Sequence, residues 1–301
     1  MEHVSNQLLF DRKLKNLEFF KKNFIQEIFQ NHLDCCYHGI DLKIFSHTDK
    51  LNHSLLSFLP NSWQIESKSP YEIYVLHPDY FDCSLDTWCE ETSQDCYSLE
   101  NNTKAIQRDF AAWFLPPHKV LLICEDIVSD GFHNFLRWFI SERLIAQDKY
   151  VIHASCVLGK NNLAHIFLGH SGAGKTTITK LSTPRLVLGD DMNLINFEND
   201  QLMVEAGAIG GLFNSMIGYD TKKKVKTIYW LKQSSENKII SLPKTIAHQK
   251  LLASFANLNW PTLPEKTASK LIAFSLQAVS SLPCFELQFK KDLSVWDMID
   301  P

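Results

Sequence analysis

Apolar residues near the amino terminus recur at a helical spacing. Five of them fall three or four positions apart: Leu14, Leu17, Phe20, Phe24 and Ile28. This spacing places them on one face of an α-helix, and it predicts an amphipathic helix that continues to about Cys35. Such a helix either folds back onto the body of the protein or docks a partner or a second subunit.

Short apolar runs further along the chain predict strands at 42–45, 72–76, 106–113 and 120–125. The polar stretch 83–104 between them is typical of a loop, so we expect a β-rich lobe of antiparallel character. Ser129 and Asp130 then begin a helix. Its apolar face comprises Phe132, Phe135, Leu136, Phe139, Ile140 and Leu144.

The rest of the chain alternates strands with helices, which is typical of an α/β domain with a mixed sheet. Strands are predicted at 150–158, 165–168, 185–191, 193–197, 202–205, 229–232 and 284–289, and helices at 176–181, 245–256 and 267–280. The turn residues 159–162 predict a hairpin that places His153 opposite Leu168, and 198–200 predict a second hairpin.

A glycine-rich loop follows the strand at 165–168. It is a complete G-x-x-x-x-G-K-[ST] sequence: Gly169, His170, Ser171, Gly172, Ala173, Gly174, Lys175, Thr176 and Thr177. The glycines let successive N–H groups turn toward a polyphosphate, to which Lys175 adds a charge and the helix beginning there adds its dipole. The Thr176 hydroxyl can bind the magnesium of a nucleotide. A glycine-rich turn without a ligand is the alternative, but the complete match and its flanks favour nucleotide binding.

Candidate acid–base and metal-binding residues flank this loop. Asp190 and Asp191 end the next strand, which we expect beside the loop strand with both carboxylates facing the phosphates. One aspartate would then activate an acceptor hydroxyl and the other would hold magnesium. The alternative is a turn that caps the strand end. His153 either contacts a phosphate or the acceptor, or is a structural histidine of its strand.

Together these segments resemble the HPr kinase/phosphorylase superfamily in its HPr-kinase-like catalytic domain, which is related to the ATP-dependent phosphoenolpyruvate carboxykinases. The likeness spans about residues 110–297, and a weaker match follows at 205–211. The main matching segments are Ile152-His153-Ala154, the loop, and Leu188-Gly189-Asp190-Asp191. The pattern of predicted elements indicates an N-terminal helical extension at 1–38, which lies outside the likeness, and a smaller β-rich lobe at 39–128. The resemblance implies that the rest of the chain, 129–301, is a P-loop catalytic domain.

The resemblance also implies an ATP- and magnesium-dependent kinase. By it, Asp190 deprotonates an acceptor serine, Lys175 binds phosphate, and His153 lies at the transfer site. The residues that would bind magnesium are Thr176, Asp191 and Glu205. The partners would be a nucleotide and an acceptor that is a peptide, a protein or a small molecule.

Three departures from the family pattern limit the resemblance. Gly207 stands where the family's Glu-x-Arg-Gly signature has arginine, His170 replaces an acidic residue of the loop, and the end of the chain has no Pro-Gly-Arg segment. We therefore expect a divergent serine kinase, such as those that modify the tails of lasso-peptide precursors, and not a true HPr kinase. The alternative is a nucleotide-regulated binding protein that does not transfer phosphate.

Composition and charge limit the kinds of partner and the cellular location that we expect for the protein. The 301 residues are 45% hydrophobic, which is sufficient for a packed core, and their net charge of −4 argues against a nucleic-acid-binding surface. Without a secretory signal or an apolar run of about 20 residues, we expect no membrane span and a cytoplasmic location, with signal-free export and homo-oligomers left open. The eight cysteines form no C-x-x-C pair, which favours reduced, mostly buried thiols over zinc ligands.

Overall fold

The structure is a computed structural model that describes residues 2–66, 68, 70–82, 84, 88, 97–99, 103–207, 221–255, 258, 260 and 263–300. The chain has two mixed sheets and surrounding helices, so the expected α/β class is confirmed at that level. It divides into two compact units, Met1–Ile140 and Ser141–Pro301. None of the helices in the described part of the chain combines the length and apolar character needed to cross a bilayer.

The first unit contains one seven-stranded sheet, ordered β1-β2-β3-β7-β6-β5-β4. Its strands are β1 (Asn31–Tyr37), β2 (Ile40–Ser46), β3 (Tyr71–Leu76), β4 (Tyr97–Leu99), β5 (Lys104–Ile106), β6 (Phe110–Leu115) and β7 (Lys119–Cys124). Its helices are α1 (Glu2–Lys22), α2 (Lys50–Phe58) and most of α3 (Asp130–Ala146). The expected antiparallel lobe is wrong in part, because β2, β3 and β7 pair in parallel. Helix α2 supplies the crossover that parallel neighbours require.

Helices cover both faces of this sheet. Leu17 and Phe20 of α1 belong to a buried cluster with Tyr74 of β3. On the other face, Phe139 of α3 lies edge-on to Tyr71, with ring centroids 5.2 Å apart. Tyr71 and Tyr74 are an odd number of residues apart on β3, so their side chains point to opposite faces. The predicted apolar face of α3 is confirmed, since all six of its residues are buried.

Three further sequence predictions fail in this unit. Helix α1 ends at Lys22 and does not continue to Cys35. Phe24 keeps the helical spacing because it packs on the same core after the helix has ended, edge-on to Tyr74 with centroids 4.7 Å apart. The single strand predicted at 106–113 is two strands joined by a tight turn, in which Gln107 N donates to Phe110 O at 2.9 Å. Strand β4 lies in the stretch predicted to be a loop.

The second unit contains an eight-stranded sheet and shorter helices. Its strands are β8 (Tyr150–Leu158), β9 (Ala164–Leu168), β10 (Val187–Gly189), β11 (Met192–Glu198), β12 (Gln201–Ala206), β13 (Lys222–Gln233), β14 (Lys238–Ser241) and β15 (Cys284–Phe289). Its helices are α4 (Lys175–Lys180), α5 (Lys244–Leu252), α6 (Glu265–Ser281) and α7 (Val295–Ile299). Strand β14 and helix α7 were not predicted, and α5 ends before the predicted 256.

Strand pairing in this unit closes on itself. Strands β8, β11, β12, β13 and β9 each pair with the next, and β9 pairs again with β8. Both parallel pairings among the described strands of this unit involve β13, which runs parallel to β9 and to β15. The predicted hairpin between β11 and β12 is confirmed, with Asn199 and Asp200 both at positive φ, as a tight hairpin turn requires.

Two predicted strand relations are wrong. Ala154, not His153, lies opposite Leu168, because the turn closes between Gly159 N and Leu163 O. Strand β10 pairs with β8 and not with the loop strand β9. Both edges of β9 are already taken, by β8 and by β13, so no edge of the loop strand is open to β10.

The five described cysteines are free thiols: Cys35, Cys36, Cys124, Cys156 and Cys284. All except Cys36 are buried. The remaining three, Cys83, Cys89 and Cys96, lie outside the described residues, as does the segment 208–211 of the weaker family match.

Candidate functional site

The phosphate-loop sequence connects β9 to α4 and turns at its glycines. Gly172 and Gly174 have φ of 77° and 108°, a region that favours glycine. Gly169 is closely packed, since a Cβ there would lie 2.6 Å from the Cβ of Ala173. Gln233, at the end of β13, donates from Nε2 to Gly172 O at 2.6 Å. The loop is therefore held from its own strand and from the neighbouring parallel strand.

Lys175 lies inside this loop and is only 8% exposed. Its Nζ donates to Gly169 O at 2.9 Å and to His170 O at 3.3 Å. Burial lowers the pKa of the Lys175 ammonium, and the negative charge of Asp191 partly offsets that effect. The loop carbonyls thus stabilise a charge that burial alone would disfavour.

Asp190 and Asp191 separate β10 from β11. These two strands follow each other along the same edge of β8, opposite the edge that pairs with β9. Asp190 is buried and Asp191 half-buried. The backbone N–H of Ala154 donates to Asp191 O at 2.7 Å. This bond holds the Asp190–Asp191 interruption, the two residues between β10 and β11, against β8.

His153 and Asp191 are in hydrogen-bond contact in this site. His153 Nε2 lies 2.8 Å from Asp191 Oδ1, a distance at which the ring N–H donates to the carboxylate. The His153 side chain is 40% exposed, so it lies at the surface and not in the core. Asp191 also acts electrostatically on Lys175. Three of the predicted site residues are therefore linked through one carboxylate.

Topology explains why these residues meet. Strand β8 is antiparallel to both β9 and β10, so β9 and β10 run in the same direction. Their carboxyl ends therefore lie at the same edge of the sheet, where the phosphate loop begins and the two aspartates follow. The acidic residues do not follow a strand that pairs with the loop strand, as was expected. They nevertheless lie at the same edge of the sheet as the loop, with β8 between the two strands.

The other predicted metal ligands are less closely connected. Glu205 is buried on β12, with Leu194 and Lys222 as its partners across β11 and β13. Thr176 is half-buried at the start of α4. Within the described ranges, no three His, Cys, Asp or Glu side chains form a ready metal cluster. The oxygen donors present nevertheless suit magnesium, which uses few protein ligands and completes its shell with water and phosphate.

Three further residues shape the site and are not predicted from the sequence. The amide of Asn193 lies between the two strand segments that carry His153 and the aspartates. Gln233 holds the loop, and the Phe289 ring packs so closely on Gly174 that a Cβ there would lie 2.6 Å from its Cζ. A polar residue within the apolar run of β11 could have signalled Asn193. Gln233 and Phe289 come from distant strands and carry no local signal.

Comparisons with known proteins add little to this site. No protein-family model matches the chain, and no curated protein matches it either. Among solved structures, the chain is similar to the HPr(Ser) kinase/phosphatase from Coxiella burnetii, with 9% sequence identity and a TM-score of 0.26. That similarity covers 46% of this chain and 84% of the other. It shows a distant structural relationship and no more.

Proposed function

We propose that this protein is an ATP- and magnesium-dependent kinase that transfers a phosphoryl group to a serine-type hydroxyl on a peptide, a protein or a small molecule. One observation carries the proposal: Asp191 pairs with His153 at 2.8 Å and also acts on the buried Lys175 of the phosphate loop. A loop alone accounts for nucleotide binding. Acidic and imidazole groups beside its lysine provide what a transfer reaction needs in addition.

The loop from Gly169 to Thr177 would bind the phosphates of ATP. An ammonium group has three N–H donors, and Gly169 O and His170 O account for two of them. The third can reach a phosphate oxygen without releasing the loop. Lys175 would thereby keep the loop in shape and neutralise charge on the β- and γ-phosphates.

Magnesium would be held by Thr176, Asp191 and Glu205, whose hydroxyl and carboxylate oxygens are the donors that this hard cation prefers. When bound, it would neutralise charge that develops on the phosphates. The pairing of Asp191 with His153 orients this carboxylate before any ligand arrives.

Asp190 would act as the general base. Its carboxylate takes the proton of the acceptor hydroxyl while the acceptor oxygen forms a bond to the γ-phosphorus. The bond from that phosphorus to the β–γ bridging oxygen breaks, and ADP leaves with the electron pair. With Nε2 held by Asp191, the Nδ1 side of His153 would contact the phosphoryl group or the acceptor.

A second function is supported by Gly207, where the related kinases have arginine. A Cβ at this position would lie 2.7 Å from Met192 O, so the backbone around Gly207 leaves little room for a side chain. A missing cation near the transfer site favours a protein that binds nucleotide as a signal and does not transfer phosphate. The kinase needs Asp190 as a general base, whereas the nucleotide-binding signal protein does not.

Substitution of Asp190 by asparagine separates these functions. Asp190→Asn keeps the shape and hydrogen bonding of the side chain but cannot accept a proton, so transfer should fall by about 10²- to 10⁴-fold while nucleotide binding survives. The first measurement is transfer of labelled phosphate from γ-labelled ATP, with magnesium, to serine-containing peptides and to free hydroxyl compounds. The second is the affinity for ADP, measured by titration calorimetry.

Asp200→Asn, at the tip of the β11–β12 hairpin, is the matched control and should leave transfer unchanged. Asp191→Asn should weaken the magnesium dependence first. Wild-type transfer retained in Asp190→Asn removes this residue from the mechanism. Tight nucleotide binding without transfer to any acceptor by the wild-type protein supports the signalling function instead.

A further inference from the structure

Asn193 is a fully buried polar residue in an apolar strand. It lies on β11 between Met192 and Leu194, both of which are buried, and its relative exposure is 0%. Apolar and β-branched residues are the usual occupants of such a position. An amide here needs hydrogen-bonding partners, since a buried polar group without them is unfavourable.

The side chain of Asn193 connects two backbone segments of the proposed active site. Its Nδ2 donates to Ala154 O at 2.8 Å and lies 3.4 Å from Gly189 O. Ala154 follows His153 on β8, and Gly189 precedes Asp190 at the end of β10. One amide group thus links the segment that carries the histidine to the segment that carries the aspartates.

These contacts also fix the orientation of the amide. Both neighbours of Nδ2 are carbonyl oxygens, which only the NH₂ group can satisfy, so a flipped amide would place oxygen against oxygen. The Oδ1 atom is buried and finds no hydrogen-bond donor among the described residues. An amide that leaves an acceptor unsatisfied is not explained by stability alone, and such local conflicts are expected at functional sites.

We propose that Asn193 is a positioning residue that holds the Asp190–Asp191 interruption against β8. Through Ala154 O and Gly189 O it keeps the backbone in the arrangement in which Ala154 N donates to Asp191 O and Asp191 meets His153. The effect of Asn193 on metal binding rests on the proposed function, in which Asp191 binds magnesium. The effect of Asn193 on the backbone does not rest on that function, and the two effects can be measured separately.

The first measurement is hydrogen–deuterium exchange in the protein without nucleotide or metal. Asn193→Ser is too short to bridge both carbonyls, so the Ala154 amide should exchange about tenfold faster, as expected for a loss of local protection. The Leu158 amide, bonded to Leu186 O at the other end of β8, should not change. Asn196→Ser, on the same strand with its amide on Glu198, is the matched control and should leave both amides unchanged.

The second measurement is ADP binding with and without Mn²⁺, a probe for magnesium. Metal-free ADP affinity should be the same in wild type and Asn193→Ser, because Lys175 and its loop are intact. The increase in ADP affinity that Mn²⁺ produces should be about tenfold smaller in Asn193→Ser, as when a supporting partner of a metal ligand is removed. Unchanged Ala154 exchange together with an unchanged Mn²⁺ gain overturns the inference.

Gly189→Ala tests the same contact from the opposite side. A Cβ at Gly189 would lie 2.8 Å from Asn193 Oδ1, so alanine should displace the amide and accelerate Ala154 exchange. The double variant with Asn193→Ser should show less than the sum of the two effects, because serine leaves room for the methyl group. If Asn193→Ser does not fold, Gly189→Ala alone decides, and unchanged Ala154 exchange in it contradicts the inference. If wild type gains nothing from Mn²⁺ while Ala154 exchange responds as expected, the proposed metal role fails and the positioning role stands.

Discussion

At the scale of single residues, the glycine-rich loop at 169–177 is stabilised by the lysine that it encloses. Lys175 joins Gly169 O to His170 O, so the charge that would bind phosphate also closes the loop. Burial lowers its pKa, and Asp191 opposes this shift. We therefore expect removal of this lysine to affect ligand binding more than the fold.

Lys175→Ala should therefore lose most of the thermal stabilisation that ADP gives the wild-type protein. The expected shift in melting temperature at saturating nucleotide shrinks because the strongest charge on the phosphates is gone. The measurement is thermal unfolding at increasing ADP, with Lys180→Ala, an exposed lysine of α4, as the control. Undiminished stabilisation in Lys175→Ala would show that the loop does not bind the phosphates.

The two positive-φ glycines of the loop form a matched pair for testing close packing. Gly174 has both a φ of 108° and the Phe289 ring 2.6 Å from its Cβ position, whereas Gly172 has a φ of 77° and open space around it. Alanine at Gly172 should cost about 1–2 kcal/mol of unfolding free energy through backbone strain alone. Alanine at Gly174 should cost about 1–3 kcal/mol more through overpacking. Urea unfolding measures both, and equal losses would show that the Phe289 contact is unimportant.

At the scale of elements, a charged cluster around the buried carboxylate of Asp300 ties the end of α7 to the sheet. Asp300 accepts from Lys160 N at 2.5 Å and lies 3.6 Å from Lys226 Nζ and 4.0 Å from Arg185 Nε. Next to this cluster, His165 of β9 is fully buried. The pKa of His165 is lowered to about 4, mainly by burial; the charges of Lys226 and Arg185 act in the same direction, and Asp300 opposes them.

This cluster should make stability depend on pH. His165 has a lower pKa in the folded protein than its ordinary value of 6.5, so the unfolded chain binds the proton more readily. Its contribution is complete above pH 6.5 and is lost as the pH falls toward 4, by about 3 kcal/mol for a shift of this size. Urea unfolding from pH 7 to pH 4.5 measures the slope.

His165→Gln should flatten that slope, whereas His170→Gln, at an exposed loop position, should leave it unchanged. An equally steep loss of stability in His165→Gln would assign the pH dependence to other groups.

Individual strands, helices and loops could be predicted from the sequence better than the pairing of one strand with another. The loop and the aspartate pair were found because each follows a strand with strong apolar character, such as Ile166 to Leu168, and His153 because it lies within such a strand. The pairing of β10 with β8 could not be predicted, because it depends on β13 occupying the second edge of β9 from more than 50 residues away. The one-residue error at His153 has a local cause, since a five-residue turn and a four-residue turn both fit the polar residues after Leu158.

At the scale of the whole molecule, the chain divides into two units with separate apolar clusters. The cluster around Tyr74 and Leu121 belongs to the first unit, and those around Ile152 and Phe167 belong to the second. Every predicted site residue lies in the second unit, between His153 and Glu205. Nucleotide recognition by the proposed site therefore draws on the second unit, whereas the first carries none of the residues assigned to chemistry.

Hydrogen–deuterium exchange with ADP and magnesium should map this division. Protection should increase at 169–177, where the loop amides would bind phosphate, and at 153–154 and 189–193, where the acidic residues would be fixed by the metal. The sheet of the first unit, including 71–76 and 119–124, should show no change. Lys175→Ala under the same conditions is the control and should lose the protection at 169–177. Protection at 71–76 or 119–124 in the wild-type protein would contradict the assignment, because a loop site confined to the second unit gives no reason for amides of the first sheet to respond.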